Sequence, residues 1–373
     1  MNESIAIHDR PGSWSDRWLD ACRDRNIPHA AVCCYDDDIV EQLSSYDALL
    51  WHQSHARVKD ALLASHLIRC AEGLGLVVFP STATSWHFDD KLAQKYLLES
   101  VGAPLARSHV FFDRDEARQW SERATFPKVF KLKRGASSTN VSLVRTPAQA
   151  RKLIDRSFGK GFKAQPRPGA DLPTKLRKHR RQGDWLATLE RLPKTLRTML
   201  GARRQWPPEK GYVYFQDFIP GNDKDTRVTV LGGRAFGFTR GVRPGDFRAS
   251  GSGMIQHDPD MIDLRCVETA LDVTRRIEAQ SMAYDFVHDA EGRPLILEIC
   301  YAYVPAYVHA CPGYWDSNLH WHGGHVWPQD AILEDVLAVM REGRPGTSDS
   351  LQSRNGVGTS ADGLPADRVT ARP

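Results

Sequence analysis

Three groups of residues in this sequence have types and spacings that suit chemistry. The first is built on a lysine in an apolar run: Lys131 lies between Phe130 and Leu132 in FPKVFKLKRGASSTNVSLV. Burying an ammonium is costly without an anionic partner, so such a lysine implies an anion close by. The following turn, Arg134 to Asn140, is made mostly of Gly, Ala, Ser, Thr and Asn. Small residues there, Ser137 and Ser138 among them, let backbone N–H groups approach phosphate oxygens. An amphipathic edge strand ending in a polar turn would look the same.

The second group is a pair of acids. In AYDFVHDAEGRPLILEICYAY, Asp285 and Glu298 fall in two β-like runs joined by the turn HDAEGRP. A hairpin can set two carboxylates side by side on one face, where they repel unless a cation lies between them. Hard oxygen ligands of this kind favour Mg²⁺, which would bridge nucleotide phosphates. Hairpins with one acid on each strand are common, so this segment alone does not decide the matter.

The third group is HACPGYWDSNLHWHGGHVWP, which gathers His309, Cys311, His320, His322 and His325. Their spacing matches no standard zinc pattern. The segment reads instead as the acceptor side of a cleft, with Tyr301, Tyr303, Tyr307, Tyr314, Trp315 and Trp321 available to stack on a sugar or another flat substrate. Packing of a C-terminal lid explains it nearly as well. No Ser-His-Asp or Cys-His arrangement is legible along the chain.

The elements that must position these residues alternate at first. SIAIHD, AAVCCY, YDALLWH and GLVVFPS are strand-like, separated by helical spacing over about 13–26 and 55–73. That alternation predicts a parallel, doubly wound α/β unit over residues 1–85. A helix starting at Asp89 or Asp90 follows, then the strand ARSHVFF, a helix over 115–123, and the Lys131 strand. Order is lost over 159–208 and returns at GYVYFQDFIPG. TRVTVLGGRAFGFTR, a helix over about 263–281 and PLILEICYAY complete the pattern.

At this point the sequence resembles the ATP-grasp superfamily from about Asp90 to Tyr303. DDKLAQKYLLESVGAPLARS is similar to the family's opening helix, which implies that Lys91 contacts nucleotide. FPKVFKLKRGASSTNV is similar to its second lysine strand and phosphate-covering loop, with Lys131 in the phosphate role. YVYFQDFIPGNDKDTRVTV resembles the hinge that holds adenine. There Gln216, Asp217, Phe218 and Ile219 would line the base, Asp225 would meet the ribose, and Arg227 would face the phosphates or an acyl phosphate. RPGDFRASGSG resembles the segment that places Arg248 near the transferred phosphoryl group, while Asp285 and Glu298 match the magnesium carboxylates. Six degenerate motifs in the correct order are together far more specific than any one of them.

The resemblance implies a pre-ATP-grasp parallel α/β domain (1–85) followed by a two-lobed ATP-grasp module (86–335), a combination of α/β and α+β architecture. It further implies ATP with Mg²⁺, or Mn²⁺ in its place, and a ligase that phosphorylates a carboxylate and joins it to an amine. A kinase that stops after phosphorylation, or a non-catalytic ATP-binding protein, are the alternatives. Two positions depart from the family pattern. Cys300 stands where an asparagine usually follows the second metal carboxylate, and Ser250 where one follows the late arginine. A thiol is a poor Mg²⁺ ligand. The chain looks most similar to ATP-grasp proteins of bacterial surface-polysaccharide clusters, which implies small-molecule or glycan substrates.

Composition narrows the class. With 41% hydrophobic and 26% charged residues, the chain is ordinary for a globular protein. Its start has no basic stretch followed by an apolar run, and no segment offers roughly 20 uninterrupted apolar residues, so a cytoplasmic setting is expected. Seven cysteines without a CxxC pair suggest neither a disulfide framework nor structural zinc. The net charge of +4 hides an asymmetry: residues 151–210 hold 17 Lys/Arg against 5 Asp/Glu. This basic insert, about 159–208, either docks an anionic membrane or lipid-linked acceptor or is a solvated excursion. Charge reversal at Arg177, Lys178, Arg180 and Arg181 is expected to cut liposome binding sharply if it docks, and to change nothing otherwise. The block lacks the interleaved aromatics of single-strand binders, so nucleic acid is not expected. The tail, 341–373, is nearly free of large apolar residues and is expected to stay unfolded.

Overall fold

The computed structural model describes residues 4–135, 140–162, 207–243, 245–249 and 251–343. Most of the basic insert, the tail beyond Gly343, and Ser137, Ser138 and Ser250 lie outside the described residues.

The chain opens with four parallel strands, β1 (Ile5–His8), β2 (His29–Val32), β3 (Ala48–Leu50) and β4 (Val77–Phe79), in the order β2-β1-β3-β4. Every residue of β1 and β3 is buried, as expected for strands covered on both faces. Three helices connect them: α1 (Trp14–Asp24), α2 (Ile39–Leu43) and α3 (Val58–Gly73). Ser13 caps α1 by accepting the Ser15 N–H, and Trp14, Trp18 and Cys22 follow at helical spacing on its buried face. A short helix, α4 (Thr82–Ser85), precedes α5 (Lys91–Ser100), whose cap Asp90 accepts the N–H groups of Leu92 and Ala93.

A second sheet is antiparallel: β5 (Ser108–Phe111), β6 (Lys128–Lys131), β7 (Val141–Val144) and β8 (Val213–Asp217), in the order β5-β8-β6-β7. It packs against α6 (Arg114–Arg123) and α7 (Pro147–Phe158) over a core that includes Phe130, Leu132, Ile154, Val213 and Phe215. Phe162 and Glu209 pair as an antiparallel bridge, so the insert leaves and rejoins this lobe at one place.

The third sheet has seven strands. Its path runs β13 (Pro294–Cys300), β12 (Ser281–His288), β9 (Lys224–Leu231), β10 (Arg234–Gly241), β14 (Gly313–Trp315) and β15 (Trp321–Gly323), and β11 (Ile255–Gln256) pairs with β10. The helices α8 (Leu264–Arg276), α9 (Pro305–His309) and α10 (Pro328–Glu342) complete this part. Its core is continuous with one face of the parallel sheet, where Ile5, Ile7, Trp18 and Phe79 join Val228, Phe236 and Tyr284. Docking of α10 on α1 adds polar fixings, with Trp18 Nε1 donating to the Gln329 carbonyl at 2.9 Å and Arg17 bidentate to Asp330. The opposite face of the parallel sheet packs Ala6, Leu49 and Trp51 against α2 and α3. Opposed antiparallel sheets on a shared scaffold leave a cleft between them.

Candidate active site

Strand register assembles the charged wall of the cleft. Asp225 and Arg227 are two residues apart on β9 and therefore share a face. Asp225 pairs across to Arg240 on β10, and Arg227 pairs across to Asp285 on β12. The row then continues to Glu298, the direct partner of Asp285 on β13. Arg240 is bidentate to Asp225 at 2.7 and 2.6 Å and also reaches Asp285 at 2.8 Å. Arg227 is bidentate to Asp285 at 2.6 and 2.8 Å. Two buried acids and two arginines thus form one closed network. Burial pushes the Asp285 carboxyl up, but the two guanidinium groups outweigh it and hold Asp285 well below the usual carboxylate range.

The facing sheet supplies the lysine. Lys131 ends β6 and is buried, and its Nζ makes one long contact, 3.4 Å to the Leu297 carbonyl on β13. Burial lowers its pKa to about 8, although Glu298 opposes the shift. Gln216 Nε2 reaches the same carbonyl at 3.4 Å, so the two sheets meet at Leu297. Lys91, the first residue of α5, places Nζ 3.0 Å from Glu298 Oε1 and 2.8 Å from the Gly135 carbonyl. It therefore ties the helix to the acid wall and to the start of the small-residue loop. Burial disfavours its charged form, yet Glu298 and Asp89 more than compensate and its pKa is raised.

Between these walls lies a cavity of about 240 Å³. Lys131, Gln216, Asp217, Phe218, Ile219, Asp225, Arg248, Asp285 and Glu298 all line it, with Lys91 and Arg227 bonded to its acids. Eleven residues singled out from the sequence therefore converge, and Ser137 and Ser138 fall outside the described residues. The details differ from a simple lining. The carboxylate of Asp217 is held by Lys128 at 2.6 Å and His109 at 3.1 Å. Both oxygens of Asp225 are engaged by Arg240. Arg248 folds back on Asp246, at 2.9 and 2.8 Å, and lies over the Phe247 ring. Phe247 in turn meets Phe218 edge-on, giving the hinge an apolar lip.

Sequence reasoning missed several partners. Arg240 was detectable, since a charged residue in the apolar run RAFGFTRG is the same cue that marked Lys131. Nothing local announces a second grouping, in which Cys300, His55 and Asp89 meet. Cys300 Sγ lies 3.9 Å from His55 Nε2, and His55 Nδ1 lies 3.3 Å from Asp89 Oδ1. Burial alone would lower the His55 pKa, but Asp89 and Cys300 raise it to about 10. This contact joins segments far apart in the chain, so it is not legible along the sequence. The stacking expectation is corrected for three of its residues. Tyr301, Tyr303 and Trp315 are core side chains, and the hydroxyls of the two tyrosines are bonded to Gln53 N and Ser281 Oγ. The C-terminal histidines fall into two separate pairs: His320 and His322 both face Asp316, while His325 bonds the carbonyl of His309, whose ring stacks on Trp327.

No protein-family model matches the chain, and no curated protein matches it in sequence. Its structure is similar to many solved ones. The RimK domain ATP-grasp protein from Sphaerobacter thermophilus aligns with a TM-score of 0.51 at 14% identity, covering 90% of this chain and 99% of that one. D-alanine–D-alanine ligase from Bacillus anthracis aligns at 0.53 and 14%, covering 92% and 99%. The ATP-grasp ligase PsnB, complexed with a phosphomimetic variant of its minimal precursor, Mg and ADP, aligns at 0.55 and 12%, covering 91% and 99%. Such identities speak to fold alone. With a parallel α/β unit leading into two opposed antiparallel sheets around a charged cleft, the chain has the fold of these ATP-grasp structures.

Proposed function

We propose that the chain is an ATP- and Mg²⁺-dependent ligase that phosphorylates a carboxylate and joins it to an amine. One observation carries the reading: a buried lysine, whose one hydrogen-bond contact among the described residues is 3.4 Å long, lines a cleft opposite a cross-strand pair of acids. Among the described residues Lys131 makes no ion pair, and the nearby acids only partly offset its burial, so its position suits a further anion.

The acids fit a hard divalent ion. Among the described residues, Asp285 Oδ1 accepts only from Arg227 Nε and keeps a second lone pair, and Glu298 faces it across the strands. When bound, the metal–nucleotide supplies the phosphoryl group and neutralises its charge. The chain does the positioning. Gln216, Asp217, Phe218 and Ile219 hold the base, and Asp225 stands at the ribose side. Lys91, Lys131 and the loop with Ser137 and Ser138 hold phosphates. Arg227 and Arg248 face the transferred group and the acyl phosphate that forms. The amine then displaces phosphate. Fixed charges placed before the reaction lower its barrier without any strongly basic side chain. The substrates are small-molecule or glycan carboxylates and amines, and the basic insert is the segment that would dock an anionic acceptor.

The test is ADP release by the purified protein against carboxylates and amines, including amino acids and uronic acids. A ligase releases ADP only when a carboxylate and an amine are both present. ADP formed with the carboxylate alone would identify a kinase. Thermal stabilisation by ATP–Mg²⁺ with no ADP across the panel would identify a non-catalytic nucleotide binder, the reading that Cys300 at a metal-ligand position favours.

A further inference from the structure

Among the described residues, one group of sulfur, nitrogen and carboxylate atoms gathers within 4.8 Å: those of Asp263, Cys266 and His288. It stands apart from the charged wall of the cleft, where the N-terminus of α8 meets the end of β12. Asp263 caps α8, its Oδ1 accepting the Arg265 N–H at 2.9 Å, and Cys266 follows three positions later on the same side of the helix. His288, the last residue of β12, brings Nε2 to 3.0 Å from Asp263 Oδ2 and 3.9 Å from Cys266 Sγ. Cys266 is buried, while the other two side chains are half-buried, which leaves access for a small ion and a water. The spacing along the chain matches no standard zinc pattern, because a helix supplies two members and a strand the third.

The donor set selects the ion. Tetrahedral zinc, with bonds of about 2.0–2.3 Å, sets its ligand atoms roughly 3.4–3.6 Å apart. The observed 3.0 and 3.9 Å straddle that span, so small shifts suffice. One thiolate, one carboxylate and a neutral imidazole balance a divalent charge, which favours a partly buried place. Thiolate and imidazole suit Zn²⁺ and not Mg²⁺, so the group is chemically distinct from Asp285 and Glu298. Without an ion, burial and then Asp263 push the Cys266 thiol up to about 12, and a bound cation takes the place of its proton.

One side chain competes for the carboxylate. Arg265 Nη2 reaches Asp263 Oδ2 at 2.7 Å, but the arginine side chain is 58% exposed, and an ion pair so exposed is worth little. When a metal takes Oδ2, Arg265 keeps Oδ1, at 3.0 Å from Nε, and the Gly292 carbonyl, at 2.8 Å from Nη2. The group is also tied to the nucleotide cleft. Asn222 lines that cleft, and its side chain clamps the His288 backbone, donating to the carbonyl at 3.0 Å and accepting the N–H at 2.9 Å.

We propose that Asp263, Cys266 and His288 bind a zinc ion that pins α8 to the end of β12 beside Asn222. The ion bonds Asp263 Oδ2, Cys266 Sγ and His288 Nε2, with water as the fourth ligand. The thiol proton leaves to solvent, and the ring proton sits on Nδ1. The inference does not depend on the ligase reading.

Cobalt(II), a coloured stand-in for zinc, tests it. The full chain, stripped with chelator, is titrated with Co²⁺ in excess Mg²⁺, which fills oxygen-ligand sites in the cleft without competing for a thiolate. The expected result is one ion per chain, with tetrahedral visible bands and a thiolate-to-cobalt charge-transfer band, both erased by Zn²⁺, and a higher melting temperature on loading. Cys266→Ser and His288→Gln should each weaken binding at least about tenfold, compared at an unchanged melt of the metal-free protein. Cys33→Ser with Cys70→Ser, which removes the two exposed thiols, should change nothing. Arg265→Gln removes the competing cation and should tighten binding about threefold. Absence of the charge-transfer band in the parent chain overturns the site whatever the variants do. So does a band that survives Cys266→Ser or vanishes with Cys33 and Cys70, and so does weaker binding in Arg265→Gln. Should Cys266→Ser not fold, the parent chain and the other variants decide.

Discussion

Replacing Lys131 with methionine is expected to cut ATP turnover sharply while making the unliganded protein more stable. Methionine keeps the bulk of the side chain and removes the charge that burial disfavours. In the fold the Lys131 ammonium titrates at about 8, against an ordinary value of 10.5. Between those values the unfolded chain holds a proton that the folded chain has shed, so stability rises as pH rises through that window. Below pH 8 the penalty is fully present, and the shift corresponds to roughly 3 kcal/mol. Lys131→Met should therefore melt at a higher temperature near neutral pH, with the gain shrinking toward pH 10. Loss of a preorganised cation beside a transferring phosphoryl group should lower ADP formation on the order of 10²- to 10³-fold. Melts at the two pH values and an ADP assay check both halves. A variant that melts lower at neutral pH would show that Lys131 is a structural cation.

Arg240→Met should act in the opposite sense. Arg240 makes both ion-pair contacts that hold Asp225, and it is one of two arginines on Asp285. All three residues are buried. Removing one member of a buried charge network leaves an uncompensated charge, at a cost of about 3–5 kcal/mol. The penalty should depend on pH with a definite sign. A buried Asp225 without its arginine favours the neutral form, so the loss is largest near neutral pH and diminishes as acid protonates the carboxyl. In the parent chain the sign is reversed for Asp285. Its depressed pKa contributes stability that is present above the ordinary carboxylate pKa and lost as pH falls below it. Urea unfolding of parent and variant near pH 7 and near pH 5 measures the difference. An equal loss at both would mean that Asp225 stays charged in the variant, and no loss at either would mean that the network is dispensable.

The two variants separate roles that look alike in the sequence, where both are lone cations in apolar strands. Lys131 makes no ion pair among the described residues and is expected to trade stability for binding. Arg240 has two and is expected to hold the wall in shape. Only the partners distinguish them, and the partners sit on other strands.

The legible part of this protein was whatever repeats or breaks locally. Alternation of apolar runs with helical spacing marked the parallel unit, and Asp90 ahead of an apolar-periodic stretch marked the start of α5. Acids flanking a turn marked the β12–β13 hairpin and its paired carboxylates. Residue type alone marked Lys131, because a charge inside an apolar strand is costly wherever that strand ends up, and the family resemblance added Lys91, Arg227 and Arg248. Tertiary structure alone decided which charges neutralise which. Register set Arg227 and Arg240 on Asp285, and packing of the parallel sheet's connections against the third sheet carried His55 to Cys300 across 245 positions of sequence. The physical reason is one of range: periodicity and turn chemistry act over a few residues. Desolvation and hydrogen-bond partnership are properties of contacts between distant segments, and these exist only once the sheets have packed.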